Sequence, residues 1–134
     1  MKIIFSIIFM SMISINSFGQ KLDSLKIYSK PTNLEELYLN DELYFNLEKN
    51  MGVLSSLPNL KSLHLSNDKL DHLPTNFNKI KNLEKLYIDN NNFNFLPNQI
   101  KGLDHLQYLD IEKNPLQINQ SDILNLNFGF KIKL

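Results

Sequence analysis

Residues 83–97 read LEKLYIDNNNFNFLP, and the spacing of the apolar side chains in this stretch decides the fold. With Tyr87 and Phe95 set aside, the apolar positions are Leu83, Leu86, Ile88, Phe93 and Leu96, and the polar Asn91 lies in the middle of them. The intervals between successive apolar positions are 3, 2, 5 and 3, which fits neither the period of an α-helix nor that of a β-strand. One regular element therefore cannot bury all of these side chains on a single face.

The same spacing recurs along the chain. A shift of 23 positions toward the N terminus gives Leu60, Leu63, Leu65, Leu70 and Leu73 at the equivalent places. The same shift toward the C terminus gives Leu106, Leu109, Ile111, Asn114 and Leu116. An earlier copy starts at Leu34, 26 positions before Leu60, so it carries three additional residues near Glu42 to Met51. A repeat of this length is typical of a solenoid.

The pattern LxxLxLxxNxLxxLPxxIxxLxx resembles that of the leucine-rich repeat family throughout residues 34–134. The resemblance implies an α/β fold, a leucine-rich repeat solenoid that forms a right-handed superhelix. A short parallel β-sheet would line the concave face, with loops or short helical turns on the convex face. Asn91 and Asn114 would occupy the structural turn after a strand, where an amide both donates and accepts toward the backbone. Asp68 and Glu42 stand at that turn in earlier copies, and a carboxylate cannot donate, so we expect weaker or differently arranged turns there.

Residues 1–19 have the composition of a secretory signal peptide. Lys2 precedes an apolar run interrupted only by serines, and small residues precede the expected cleavage site between Gly19 and Gln20. The alternative is a retained membrane anchor, although the run is short for a transmembrane helix. Signal cleavage predicts export to the periplasm, the cell surface or the medium. The chain has no cysteine, so its stability must come from apolar packing and backbone hydrogen bonds rather than disulfides.

Both ends of the predicted repeat domain carry strand-like segments. Residues 20–33 repeat the LxxLxL spacing of a strand at Leu22, Leu25 and Ile27, about half a repeat before Leu34. They are predicted to form an N-terminal cap strand, because a stacked coil exposes its core unless it is capped. Residues 34–134 form the predicted leucine-rich repeat domain of about four repeats, with a last strand at residues 130–134. Three explanations fit that final strand: its lysines protect an exposed edge, a partner covers the edge, or the sequence is truncated.

The outward residues of the strands form the predicted partner-binding surface. These residues are Glu36, Tyr38, Asn40, His64, Ser66, Lys85, Tyr87, Asp89, Tyr108, Asp110 and Glu112. Ser62, Lys131 and Lys133 also point outward in this assignment. The repeat places Tyr38, His64, Tyr87 and Asp110 in one row across the sheet, with Tyr108 beside it. Tyrosine is enriched at interface hot spots, which favours recognition, whereas the alternative is a soluble β-face that simply tolerates aromatic residues.

No catalytic residue, metal site or cofactor site is expected. Ser62 and Ser66 lie near His64, but an open sheet offers no pocket for a hydrolytic triad. The chain has a net charge of zero and its 14 basic residues are all lysine, so no basic surface for nucleic acid is indicated. The sequence therefore predicts an exported, non-enzymatic protein that binds another protein through its concave face. The alternative is a structural module that pairs, even with itself, through its C-terminal edge strand.

Overall fold

The computed structural model describes residues 33–41, 45–118 and 129–134, in which five short strands form one parallel sheet. The strands are β1 (Glu36–Tyr38), β2 (Ser62–His64), β3 (Lys85–Tyr87), β4 (Tyr108–Asp110) and β5 (Lys131–Lys133). They lie across the sheet in chain order, so each repeat adds one strand beside the previous one. The predicted signal peptide and, apart from residue 33, the predicted cap strand lie outside the described residues.

The register of the sheet follows the spacing of the repeats. Leu63 pairs with Leu86, and Leu86 pairs with Leu109, so each central leucine meets its equivalent in the next repeat. Leu109 pairs in turn with Ile132 across the same interval, whereas the pairing of Leu37 with Leu63 spans the longer first repeat. The predicted parallel sheet and the longer first repeat are therefore confirmed.

Each layer is fixed to the next at the start of its strand. The Lys61 carbonyl accepts hydrogen bonds from the backbone N–H groups of Glu84 (2.7 Å) and Lys85 (2.9 Å). The Glu84 carbonyl accepts two in the same way, from Gln107 (2.7 Å) and Tyr108 (3.1 Å). A one-residue slip would break both bonds at once and would turn the central leucine of the strand toward solvent. The register is therefore specified by the backbone as well as by the core.

The core lies between the sheet and the returning segments. The centre of each of the first four strands and the residue just after each strand are buried and apolar: Leu37, Leu39, Leu63, Leu65, Leu86, Ile88, Leu109 and Ile111. Phe77, Phe93 and Met51 are the largest fully buried side chains from the other segments. Ile132 of β5 is only partly buried against this core. The apolar spacing of the sequence is thus that of a solenoid coil, in which the strands and the returning segments all contribute side chains to one core.

The return segments are short helices of two kinds. The first repeat contains α1 (Leu47–Leu54), whose N-terminal cap is Asn46, with its side chain accepting from the Lys49 N–H (2.9 Å). In the described part of the later repeats the helices are of the 3-10 type, at Phe77–Lys79 and Asn98–Gly102. The longer spacing of the first repeat thus coincides with a true α-helix. Within the described ranges, the helices all lack the length and apolar character needed to traverse a membrane.

The chain turns away from each of the first four strands through a residue in the left-handed region. Asp41 (φ 64°), Asn67 (φ 64°), Asn90 (φ 54°) and Lys113 (φ 54°) occupy this equivalent position. Asn and Asp adopt positive φ more readily than other non-glycine residues. Asn90 Nδ2 donates to Asn67 Oδ1 (3.0 Å), and Asn67 Nδ2 donates to Asp41 Oδ1. The turns of three successive layers are therefore linked by side chains.

Asn91 connects two layers through both ends of its amide. Its Oδ1 accepts from the backbone N–H groups of Asp68 (2.9 Å) and Leu70 (3.0 Å) in the preceding layer. Its Nδ2 donates to the carbonyls of Leu65 (2.7 Å) and Ile88 (3.0 Å). Because Asn91 is only 5% exposed, these backbone groups depend on it rather than on solvent.

Asn114 repeats this arrangement one layer later, where Oδ1 accepts from Phe93 N–H (3.0 Å) and Nδ2 donates to the Ile88 carbonyl (3.0 Å). The turn at Asp68 is arranged differently, in agreement with one of our two alternative expectations for it. Besides the usual positive φ at Asn67 it has a second at Lys69 (φ 58°), which the equivalent Asn92 and Pro115 do not share. Asn91 of the following layer still accepts from the backbone N–H groups of that turn. Glu42 lies outside the described residues.

Candidate functional site: the concave face

The outer side of the five-stranded sheet, which we call the concave face, brings the predicted partner-binding residues together. Two rows run across the strands in register. The first contains Tyr38, His64, Tyr87, Asp110 and Lys133, and the second contains Glu36, Ser62, Lys85, Tyr108 and Lys131. Asn40, Ser66, Asp89 and Glu112 each come two places after the first-row positions of β1 to β4.

Four rings form a continuous aromatic ladder across the concave face. The rings of Tyr38 and His64 are stacked, with centroids 3.9 Å apart and planes inclined by 17°. His64 stacks equally on Tyr87, at 4.1 Å and 6°. Tyr87 meets Tyr108 of the other row at 5.4 Å with a tilt of 50°. Such contacts add about 0.5–1.5 kcal/mol per aromatic pair beyond burial, so the ladder has a defined shape before any partner arrives.

His64 is the central ring of the ladder and is largely withdrawn from solvent. Both faces of its imidazole are covered by tyrosines, and its side chain is only 12% exposed. Burial lowers the pKa of His64 below its ordinary value of 6.5, and this outweighs the nearby Glu36 carboxylate, which acts in the opposite direction. The imidazole is therefore neutral at pH 7, and its contact with Glu36 is a hydrogen bond to a carboxylate rather than an ion pair.

His64 lies between a serine and a carboxylate, but the three do not form a hydrolytic triad. His64 Nε2 is 2.9 Å from Glu36 Oε1 and 3.1 Å from Ser62 Oγ. Because a carboxylate only accepts, Nε2 carries the proton and donates to Glu36, while Ser62 Oγ also donates to Glu36 Oε1 (3.3 Å). A triad needs serine and acid on opposite ring nitrogens. Here both contact the same nitrogen, which has no lone pair left to take a proton from the serine.

Glu36 and Tyr38 complete this hydrogen-bonded group. Partial burial raises the pKa of Glu36, but hydrogen bonds from His64, Tyr38 and Ser62 outweigh it and lower the pKa below 4.5. Burial, followed by the hydrogen bond to Glu36, raises the pKa of the Tyr38 hydroxyl. At neutral pH the group therefore contains one carboxylate and several protonated donors directed at it.

The other end of the concave face holds a compact ionic cluster. Lys133 Nζ lies 2.6 Å from Glu112 Oε2 and 3.1 Å from Asp110 Oδ2, and these two contacts raise the lysine pKa. Tyr108 donates its hydroxyl to Asp110 Oδ2 (3.2 Å), and burial, then the Asp110 charge, raise the tyrosine pKa. Asp110 is only 6% exposed, so this predicted partner-binding residue is enclosed by its neighbours. The ion pair between Lys133 and Asp110 was not predicted from the sequence, although Lys133 stands one repeat after Asp110.

The polar residues beyond the strands are also bonded to one another. Asn40 Oδ1 accepts from the Ser66 backbone N–H (2.8 Å), and Ser66 Oγ donates to Asp89 Oδ1 (2.5 Å). These contacts join β1, β2 and β3 at the ends where the turns begin. Hydrogen bonds therefore order the side chains that follow these strands, as stacking orders the rings of the aromatic ladder.

The described residues contain no group of three or more His, Asp or Glu side chains that could hold a metal ion. His72 is exposed and contacts Asp71 (2.5 Å), and His105 is exposed in the loop before β4. Neither histidine lies on the concave face with His64.

Comparison with known proteins points to one family. Residues 58–116 match the family model for the leucine-rich repeat. The solved structure of a leucine-rich repeat protein from Leptospira interrogans is similar, with 34% sequence identity and a TM-score of 0.52. The similarity covers 60% of this chain and 21% of that one, so this chain spans about a fifth of its length. Comparison with curated proteins gives no significant match.

Proposed function

Because this chain is a leucine-rich repeat protein, we propose that it is an exported, non-enzymatic binding protein that holds another protein on its concave face. Leucine-rich repeat proteins are in general modules for protein–protein interaction. The observation that carries the choice of face is the aromatic ladder of Tyr38, His64, Tyr87 and Tyr108. Rigid, partly exposed tyrosines with hydroxyl groups are the side chains that most often anchor interfaces.

The rigidity of the surface supports this choice. The ladder is stacked, and Glu36, Ser62, Ser66 and Asp89 are hydrogen-bonded within the face. A surface whose side chains are already ordered loses less conformational entropy on binding, so more of the contact energy appears as affinity. A second observation is which groups of the ladder a ligand can reach. A ligand meets ring edges and hydroxyls rather than the covered faces of His64, which favours peptide-like partners with many hydrogen-bonding groups.

The test is affinity capture from the envelope and culture fluid of the source organism. The bait is the purified chain, compared with the variant Tyr38→Ser/Tyr87→Ser and with Phe95→Ser. Phe95 is 64% exposed and lies away from the sheet, so it controls for the loss of any exposed aromatic ring. Unchanged circular dichroism at the assay temperature would establish that both variants are folded, although the double tyrosine variant should have a lower unfolding midpoint because it removes all three ring contacts of the ladder.

We expect a partner that is retained by the wild type and by Phe95→Ser and is lost from the double tyrosine variant. Equal capture by all three baits would contradict binding through the concave face. Capture of only further copies of the same chain would instead favour the alternative function, assembly through an edge strand. Among the described residues β5 pairs only with β4, which is the observation in favour of that alternative.

Export rests on the composition of residues 1–19, in which one lysine precedes an apolar run and small residues. Cell fractionation and N-terminal sequencing of the protein test it directly. We expect the chain outside the cytoplasm with Gln20 as its first residue. An intact Met1 in the cytoplasmic fraction would contradict export without bearing on the binding face.

A further inference from the structure

The strand β5 presents backbone groups at its outer edge. Within the described residues it pairs only with β4. The Lys131 N–H donates to the Gln107 carbonyl (3.0 Å), and the Lys133 carbonyl accepts from the Ile111 N–H (3.0 Å), so these groups point toward β4. Because the backbone groups of successive strand residues point to opposite sides, the N–H and C=O of Ile132 point away from β4. An edge of this kind is a template for one more strand.

Apolar side chains at this edge are less covered than their equivalents in the preceding layer. Leu109 is completely buried, whereas Ile132, one repeat later, is only partly buried. Ile111 is also completely buried, whereas Leu134, one repeat later, is 45% exposed. Phe130 packs partly against the core at a position where the earlier layers have a charged or amide side chain. Phe130, Ile132 and Leu134 thus form a partly covered apolar strip along β5.

The concave side of β5 carries two kinds of charge. Lys133 contacts both Asp110 and Glu112, and one ammonium against two carboxylates leaves this cluster with a net charge of −1. Lys131 is exposed and forms no ion pair within the part of the chain that the structure describes, and its Nζ lies 6.0 Å from the centroid of the Tyr108 ring. A positive group therefore lies at the start of β5 and a negative cluster at its end.

These features complement a second copy of themselves in one arrangement. If β5 pairs antiparallel with the β5 of a second copy about a twofold axis at Ile132, the two Ile132 residues exchange both backbone hydrogen bonds. Phe130 of each copy then faces Leu134 of the other, with β-carbons about 4.5–5.5 Å apart. Lys131 faces Lys133 of the other copy, whose cluster is negative as a whole, so the exposed ammonium meets opposite charge.

The other edge of the sheet is a poorer match for β5. Leu37 of β1 and Leu39 just after it are already buried, with exposures of 5% and 3%, so the described residues of that end leave no comparable apolar strip to cover. A head-to-tail stack would place Glu36 of β1 on Lys131, but Glu36 already accepts from His64 (2.9 Å). The edge of β5 therefore fits a second β5 better than it fits β1.

We propose that two copies of this chain associate through their β5 strands, so that the five strands of each copy join into one sheet with a twofold axis at Ile132. A twofold contact uses the same surface on both copies and therefore closes at a dimer. The concave faces of both copies stay exposed on one side of the joined sheet. The inference thus goes beyond the proposed function and does not depend on it.

The experiment is sedimentation velocity of the purified chain over a series of concentrations. We expect a species of twice the chain mass whose share rises with concentration. Leu134→Ser should raise the dimer dissociation constant at least tenfold, whereas Phe95→Ser, which removes another exposed apolar side chain away from β5, should change it less than twofold. Ile132→Pro should abolish the dimer because it removes the outward N–H, and an edge strand accepts proline at such a position.

A second pair of variants tests the charges. Lys131→Glu would place a carboxylate opposite the negative cluster of the other copy and should raise the dissociation constant at least tenfold. Lys101→Glu makes the same change of charge on the 3-10 helix Asn98–Gly102, away from the sheet, and should change it less than twofold. Circular dichroism at the assay temperature identifies the folded variants, and Leu134→Ser decides the outcome if Ile132→Pro does not fold.

A monomer at every concentration would overturn the inference, as would equal weakening by Leu134→Ser and Phe95→Ser or by the two lysine variants. Species that continue to grow beyond a dimer would overturn it in favour of head-to-tail stacking. The variant Tyr38→Ser/Tyr87→Ser separates this inference from the proposed function, because it should dimerise as the wild type does. Loss of the dimer in that variant would place the contact on the concave face and refute pairing through β5.

Discussion

Asn91 and Asp68 occupy the same position in successive repeats, and the side chain of the first satisfies the backbone of the second. Asn91 Oδ1 accepts from the Asp68 N–H at 2.9 Å, and both residues are buried, with exposures of 5% and 7%. The amide of one layer thus completes the turn of the layer before it. The stability of a turn is consequently controlled by a residue one full repeat further along the chain.

Asn91→Ala is expected to lower the free energy of unfolding by about 1–3 kcal/mol, because it leaves buried N–H and carbonyl groups without partners. Urea denaturation followed by circular dichroism measures the change. The matched control is Asn92→Ala, since Asn92 is exposed and its side chain makes one long bond, to the Lys69 carbonyl at 3.3 Å. The control should stay within about 0.5 kcal/mol of wild type. Equal stability of Asn91→Ala and Asn92→Ala would refute the structural role of Asn91.

Asp68→Asn is expected to raise the free energy of unfolding by about 1 kcal/mol, the net value of one hydrogen bond. The amide would regain the donor that Asn91 and Asn114 use toward the carbonyl three places earlier, which here belongs to Leu65. A carboxylate can reproduce only the accepting half of that role. Thermal and urea unfolding at pH 7 test the change. A loss of stability would mean that the carboxylate has a role that the amide cannot fill.

Lys113→Asn is expected to stabilise the fold by about 0.5–1 kcal/mol, because lysine is strained at positive φ and asparagine is less so. Lys113 has φ 54° at the position that Asn67 and Asn90 hold in earlier layers. The new Nδ2 could also donate to Asn90 Oδ1, as Asn90 does to Asn67 (3.0 Å). Lys113→Ala is the control, since it removes the lysine but keeps a β-carbon. If both variants gain equally by urea unfolding, the backbone conformation is not the cause.

The stability contributed by His64 is expected to decrease as the pH falls below 6.5. The folded pKa of His64 is lowered by burial, so the unfolded chain takes up the proton first. The contribution is complete above the ordinary value of 6.5, is lost as the pH falls toward the folded pKa, and changes no further below it. Urea unfolding of wild type and His64→Gln between about pH 8 and pH 5 isolates the effect, above the range in which Glu36 titrates.

The difference in stability between wild type and His64→Gln should shrink toward the acidic end of that range. An increase instead would show that the protonated imidazole is stabilised by Glu36, and that the charge attraction outweighs burial between the two tyrosines.

The intervals between equivalent residues, 26 positions in the first repeat and 23 in the later ones, were enough to predict which residues share a row. Tyr38, His64 and Tyr87 occupy the same position of successive strands, so their adjacency followed from the alignment of the repeats, including the longer first one. Their face-to-face stacking was not predictable from spacing, because it depends on the side-chain torsion angles of all three residues together. The burial of Asp110 likewise depends on how Lys133 and Tyr108 fold over it.

The sequence of the first repeat contains a helix pattern that our prediction left out. Leu47, Met51 and Leu54 follow the i, i+4, i+7 spacing of a helix, and Asn46 is a suitable N-terminal cap. The three additional residues predicted near Glu42 to Met51 overlap the start of this helix, and the helix itself was not predicted. The segments beyond the described residues, including the predicted signal peptide, stay predictions.

The direction of the asparagine contacts gives the solenoid a polarity. Asn91 and Asn114 each serve the layer before their own, so the turns they complete depend on the chain that follows. Loss of a later layer would therefore expose the turn amides of its predecessor, whereas loss of an earlier layer would leave the later turns satisfied. Unfolding should spread more readily from the C-terminal end, and a molecule that covers that end would protect amide hydrogens in layers it never touches.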